Sequence, residues 1–355
     1  MLTTVLSFEV PPTVVCFHGM DNTSDRQSVR DATPNECLFS RAAGSLLLVV
    51  SILSLIINTR ALFTTNKNDR LSRRNRDLVM GMFMSSLCVI IISVPSVVVQ
   101  CFVCRRLCVP IICTLEGFNS FFNGCAAMYM LVALSILRFA TTANSFMSTE
   151  LQRYFEQNGH YLVLICFLMS GLWAVPPLFA RTSAYAPEGL GFHCGLDWFD
   201  RTILGRVYFL ALFIGVFFVP IIIIVFVNAF IQRTIYRLTH LKTSTLLELG
   251  PIRAESAMRR HVSDDQYEKE LRRLRLLQQD RRFVVATGIS IVVYCIAWTP
   301  YSVVAITQVL GERFSIYNPW LMTTCAVLAK LAMITNPIIY TIILESRAET
   351  IITQI

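Results

Sequence analysis

The chain has 355 residues, 54% of them hydrophobic and 15% charged, with a formal net charge of +8. A soluble domain carries about 25% charged residues, so this composition excludes a disordered tail protein and argues against a soluble enzyme. The basic residues do not build one face of a soluble body, so no nucleic-acid partner is expected, and the twelve cysteines form no paired CxxC motifs, so no metal site is expected either.

Residues 1–43 read as an extracellular N-terminal segment. Its first sixteen residues lack a basic start and contain Glu9 and Pro11-Pro12, so a cleaved signal peptide is not expected. Asn22-Thr23-Ser24 is a sequon, with Asn22 as a glycan acceptor. Apolar runs then recur at 44–64, 78–103, 112–137, 160–180, 206–232, 283–310 and 317–344. Each has about the 20 residues needed to cross about 30 Å of hydrocarbon as a helix. In lipid the backbone must satisfy its own hydrogen bonds. The expected fold is therefore an all-α membrane protein, a seven-transmembrane helix bundle over 44–344. A long cytoplasmic loop at about 239–280 interrupts it, and a short tail at 345–355 follows. The second half of that loop reads as a helical extension of the sixth span.

Lys and Arg set the orientation. Of the 31 basic residues, 21 fall on the side of the loops after spans 1, 3 and 5 and of the tail, and nine on the other. The chain is thus expected in the cell membrane as a multi-pass protein surrounded by lipid, N-terminus outside and C-terminus cytoplasmic.

One basic residue belongs to neither side. Lys330 lies mid-way along span 7, in CAVLAKLAMITNPIIY. A lysine at that depth costs at least a few kcal/mol and should face the bundle with a partner. It is either a structural lysine paired with an acid, or an amine that burial leaves neutral and able to attack an aldehyde, giving a Schiff base. A protonated Schiff base would need a carboxylate. Glu116, one turn inside span 3 in CTLEGFNSFFNG, is the clear acid within the spans.

Several motifs now coincide. Lys330 stands six residues before Asn336-Pro337-Ile338-Ile339-Tyr340. Cys113-Thr114-Leu115-Glu116-Gly117-Phe118 opens span 3; Pro187-Glu188-Gly189 precedes Cys194-Gly195-Leu196-Asp197-Trp198; Trp298-Thr299-Pro300-Tyr301 lies in span 6 and Asn58 in span 1. Over about residues 44–344 the chain resembles an opsin, a retinal-binding member of the rhodopsin-like G-protein-coupled receptors.

The resemblance implies covalently bound retinal, 11-cis or all-trans, on Lys330, with Glu116 and Glu188 as candidate counterions that the sequence does not rank. It implies a Cys113–Cys194 disulfide that pins the second outer loop over the pocket. Phe118, Tyr294, Trp298, Tyr301 and Ser302 would line the pocket, and the hydroxyls of Tyr294 and Ser302 hint at red-shifted absorption. Arg138, Asp280, Asn336, Pro337 and Tyr340 would form the switch that couples to a heterotrimeric G protein; arrestin is a further implied partner. Cys16, Cys37, Cys101, Cys104 and Cys108 lie outside or near the outer surface with their pairing open, and the cysteines inside spans read as small apolar fillers.

The departures from the family fall on the switch. The acid expected before Arg138 is Leu137, the buried acid of span 2 is nearest to Ser85, and the tyrosine eight residues after Pro220 is Asn228. Fifteen residues follow Tyr340, without a cysteine or an evident amphipathic helix. The expected function is a light-sensing G-protein-coupled receptor. The alternative is a retinal photoisomerase or chromophore-binding opsin with little coupling. A third reading, a receptor whose Lys330 binds an anionic ligand, is disfavoured by the joint presence of Glu116 and the loop motif.

Overall fold

The computed structural model describes residues 32–67, 73–104, 110–143, 158–179, 183–200, 202–234, 236, 264–311 and 316–345; of these, the side chains at 61, 64–67, 73–75, 138, 140–143, 264–284 and 335–345 lie outside the description. The first span is α1 (Pro34–Lys67). The second is α2 (Arg73–Cys88), a π-helical turn (Val89–Ser93) and α3 (Val94–Val103). The third is α4 (Pro110–Ala143), and the fourth is α5 (Gly159–Ala174) followed by a 3-10 turn (Pro176–Phe179). The fifth is α6 (Ile203–Leu212), a second π-helical turn (Phe213–Phe218) and helical residues 219–234. The sixth and seventh are α7 (Asp264–Leu310) and α8 (Pro319–Glu345). Six of these spans are long and apolar enough to cross a membrane, and α8 completes the seven.

Two boundaries differ from the sequence reading. The first helix starts at Pro34, ten residues before the expected span at 44. Thr33 and Glu36 explain this: the Thr33 N–H donates to Glu36 Oε2 at 2.8 Å and the Glu36 N–H to Thr33 Oγ1 at 3.4 Å, a capping box with proline at the first helical position. The sixth helix begins at Asp264, so the expected loop 239–280 is helical from there onward, while 239–263 lies outside the described residues.

The spans present apolar side chains to lipid and turn polar ones inward among apolar neighbours. On α1, Val49, Ile52, Leu53 and Ile56 are exposed, whereas Ser51, Ser54 and Asn58 are buried. Helices in lipid associate through packing and polar contacts rather than by hiding apolar surface from water. Asn58 donates to Ser54 Oγ at 2.9 Å and to Ser86 Oγ at 3.2 Å, and both serines donate to the Ile334 carbonyl. This knot joins spans 1, 2 and 7 one turn beyond Lys330. In span 2 it is Ser86 that meets Asn58. The Ser85 hydroxyl, one residue round the helix, has no partner.

Both π-helical turns end just before a proline, Pro95 and Pro220. Proline has no N–H for the carbonyl four residues earlier, and a π turn is one way to absorb that loss. Helix α4 supplies side-chain donors at both turns. Asn119 donates to the Cys88 carbonyl at 3.0 Å, and the Tyr129 hydroxyl to the Gly215 carbonyl at 3.1 Å. The extra residue in span 2 rotates the following turns, and this brings Ser93, Ser96 and Gln100 against α4.

Between spans 4 and 5 lies an antiparallel hairpin, β1 (Tyr185–Glu188) and β2 (His193–Leu196), in which Glu188 pairs with His193. Its turn uses Gly189 and Gly191 at positive φ. The Leu190 N–H donates to Thr323 Oγ1 at 2.9 Å, and Leu190 and Phe192 plug into the core formed with Leu47, Val94 and Ile334. The hairpin is thus inserted into one end of the bundle.

Candidate functional site

The helical period decides which side chains converge under the hairpin. Gly117, Ser120, Phe121, Gly124 and Cys125 form one stripe of α4; Tyr294, Trp298, Tyr301 and Ser302 form one stripe of α7; Ala326, Ala329, Lys330 and Met333 form one stripe of α8. With Leu212, Phe213, Val216 and Phe217 from span 5 and residues of the hairpin, they enclose a mostly apolar cavity. Trp298 stacks on Tyr294 with centroids 5.6 Å apart and meets Tyr301 edge-on at 5.8 Å.

Lys330 is 6% exposed. Its Nζ donates to Ser120 Oγ at 3.1 Å and lies 3.6 Å from Glu116 Oε1. Glu116 and Ser120 are four residues apart on α4 and share a face. Every oxygen of the Glu116 carboxylate has a donor: the Cys194 N–H at 3.0 Å on Oε1, and the Ser96 hydroxyl at 3.2 Å and Gln100 Nε2 at 3.5 Å on Oε2.

Glu188 is held differently. Its Oε1 accepts from Trp198 Nε1 and from the Tyr301 hydroxyl, both at 2.8 Å, while Oε2 lies 3.5 Å from His193 Nδ1. Burial pushes Glu188 up to about 7, against the lowering pull of those two hydrogen bonds and of Lys330. Burial, with Lys330 nearby, pulls His193 down to about 3. A Cβ at Gly195 would overlap the Glu188 carboxyl, so this position accepts only glycine without a shift.

The Cys113–Cys194 disulfide is formed, and so is a Cys37–Cys104 bridge that joins the start of α1 to the end of span 2. Cys101 remains a buried free thiol. Cys16 and Cys108 lie outside the described residues.

Tyr294, Trp298, Tyr301, Ser302, Glu188 and Lys330 all line the cavity. Phe118 does not. It is one residue round the helix from the Gly117 stripe and packs instead on Phe122, at 5.5 Å, and Tyr185, at 6.2 Å. Sequence reasoning missed Ser120 and His193. Ser120 was findable as the residue one turn after Glu116, and His193 as the neighbour of Cys194. Arg138, Asp280, Asn336, Pro337 and Tyr340 lie on helical backbone, but their side chains are outside the described residues, as is Asn22 entirely. Leu137 is buried in the core with Leu134 and Ile224. Asn228 donates to the Ile224 carbonyl at 2.8 Å and to Ser135 Oγ at 3.5 Å.

The family model described as the seven-transmembrane receptor (rhodopsin family) matches residues 57–340. The chain belongs to this family. Among its relatives, melanopsin-A of Danio rerio is 29% identical over 65% of this chain and 35% of the relative. Melanopsin of Rattus norvegicus is 27% identical over 84% of this chain and 58% of the relative. This rhodopsin-family receptor thus spans about a third to three-fifths of the length of the curated relatives it matches. The crystal structure of squid rhodopsin shares the fold, with a TM-score of 0.68 and 21% identity over 88% of this receptor and 79% of that chain.

Proposed function

We propose that this receptor senses light through retinal carried on Lys330 and signals through a heterotrimeric G protein, with its N-terminus outside the cell and its C-terminus in the cytoplasm. The observation that carries the reading is the buried Lys330 amine, 3.6 Å from a fully hydrogen-bonded Glu116, opening onto an apolar cavity lined by aromatic rings. The residues fit the group: the small side chains of Gly117, Gly124, Ala326 and Ala329 leave room beside the amine, and the apolar walls suit a polyene. Retinal joined to Lys330 as a Schiff base supplies the light absorption and the change of shape.

The chain's own residues do the rest. Glu116 holds the positive charge at Lys330 in place and is the counterion in this reading, because both of its oxygens are served by donors that favour a carboxylate. Ser120 fixes the direction of Nζ. The hairpin, tied down by Cys113–Cys194 and by Leu190 to Thr323, keeps water from the amine. Trp298 and Tyr301 press on the cavity from either side of Pro300, a point in α7 where the helix lacks one backbone hydrogen bond and can hinge. The melanopsin relatives support the receptor over the isomerase alternative. The test is to load the purified receptor with 11-cis and with all-trans retinal, record a spectrum, and follow nucleotide exchange on a G protein under light. A visible band with light-driven exchange is expected. A band with isomerisation and no exchange would favour the isomerase, and no band with either isomer would refute retinal binding.

A further inference from the structure

His193 is not absorbed by the site described so far. It is 2% exposed and lines the cavity, yet neither ring nitrogen has a hydrogen-bond partner among the described residues. A buried imidazole left in that state is costly, and its neighbourhood should hold the missing partner. On the Nδ1 side lies Glu188 Oε2, at 3.5 Å, across the last pair of the hairpin ladder.

The two oxygens of Glu188 are not equivalent. Oε1 accepts two hydrogen bonds, from Trp198 and Tyr301, as a carbonyl oxygen would. Oε2 has no donor among the described residues and faces a nitrogen that has none to accept. A proton on Oε2, directed at the Nδ1 lone pair, satisfies both atoms at once. Two protons, one on each atom, would clash, and none would leave two lone pairs opposed. Glu116 provides the contrast, with donors on both oxygens.

We propose that His193 is the proton acceptor of Glu188, a positioning residue whose neutral acid–base pair keeps Glu188 un-ionised. Burial pushing Glu188 up and His193 down supports the neutral form of the pair. The other groups that bear on it are Lys330 of α8, Glu116 of α4 and the Tyr301 hydroxyl of α7. Lys330 carries the charge that opposes an imidazolium here. β2 links the two acids, since His193 faces Glu188 while the next residue, Cys194, donates its N–H to Glu116. The pair is independent of the retinal reading.

The experiment uses the full-length, ligand-free receptor. Infrared spectra at neutral pH should show a protonated carboxyl band that disappears in E188Q and moves to higher frequency in H193F, where the acceptor is gone. The chain has five histidines, so 15N-histidine NMR against H193Q assigns His193; a neutral ring with unprotonated Nδ1 is expected, and the wild-type spectrum reports it even where H193F does not fold. A band unaffected by E188Q, a band that stays in place in H193F, or an imidazolium at His193 would each overturn the proposal. Retinal binding is measured separately by absorbance. A receptor with the pair and no retinal band refutes the retinal reading alone, and a retinal band without the pair refutes this proposal alone.

Discussion

Lys330 Nζ and Glu116 Oε1 lie 3.6 Å apart, from residues 6% and 1% exposed on two different spans. A buried pair of this kind is weak evidence for stability, because desolvation offsets the attraction. Its value is chemical: it fixes where charge can reside in the cavity. Glu116→Gln should therefore move the absorption of the retinal-loaded receptor toward the ultraviolet at neutral pH, as the Schiff base loses its proton. Glu188→Gln should leave the visible band within its original region. Absorbance spectra of both variants check this, and a reversed order of effects would assign the counterion to Glu188.

Ser120 adds a single hydrogen bond to the same amine, at 3.1 Å. Such a bond contributes about 1 kcal/mol net. Ser120→Ala should lower the pH at which the visible band is lost by somewhat less than one unit, measured by alkaline titration of the pigment, with the cavity otherwise intact. An unchanged titration would mean that the hydroxyl does not hold Nζ.

The sign of the Glu188 effect on stability is fixed by its direction of shift. The folded receptor holds this acid at about 7, above its usual 4.5. Its contribution to stability is fully present below 4.5, falls as the pH rises, and is lost above 7, at a cost on the order of 3 kcal/mol. Glu188→Gln removes that dependence and keeps an oxygen for Trp198 and Tyr301. Thermal unfolding of the ligand-free receptor should show the variant more stable than the parent at pH 8 and no more stable at pH 4. A variant less stable at pH 8 would contradict the account.

The switch positions carry opposite expectations. Leu137 is buried in the core, so Leu137→Glu sets a carboxylate among apolar side chains. It should lower the melting temperature by the equivalent of about 2–3 kcal/mol while lowering dark G-protein activation. Asn228 spends its amide on Ile224 and Ser135, and Asn228→Tyr should raise light-driven activation. If both variants match the parent in nucleotide exchange while the parent signals strongly, these positions are not the switch.

The fold was legible because lipid imposes a simple rule: seven apolar runs define the spans. Lys330 was legible for the same reason, as a charge where none is tolerated without a purpose. What escaped the sequence reading lies in contacts between elements. The capping box at Thr33 and Glu36 hides before the first apolar run and lengthens α1. The π turns before Pro95 and Pro220 change which faces of spans 2 and 5 meet α4, so Ser96 and Gln100 could not be assigned to Glu116 from helical period alone. The ranking of the two acids depends on individual oxygens: Glu116 is served on both, Glu188 on one. Phe118 was misplaced by a single residue, which is 100° of helix.

The central claim is that Lys330 carries the chromophore, and acid-trapped spectra test it most directly. Denaturing the retinal-loaded receptor in acid should leave the absorption band of a protonated Schiff base, and Lys330→Ala should abolish that band while Lys330→Arg does not restore it. Retention of the band in Lys330→Ala would contradict the account.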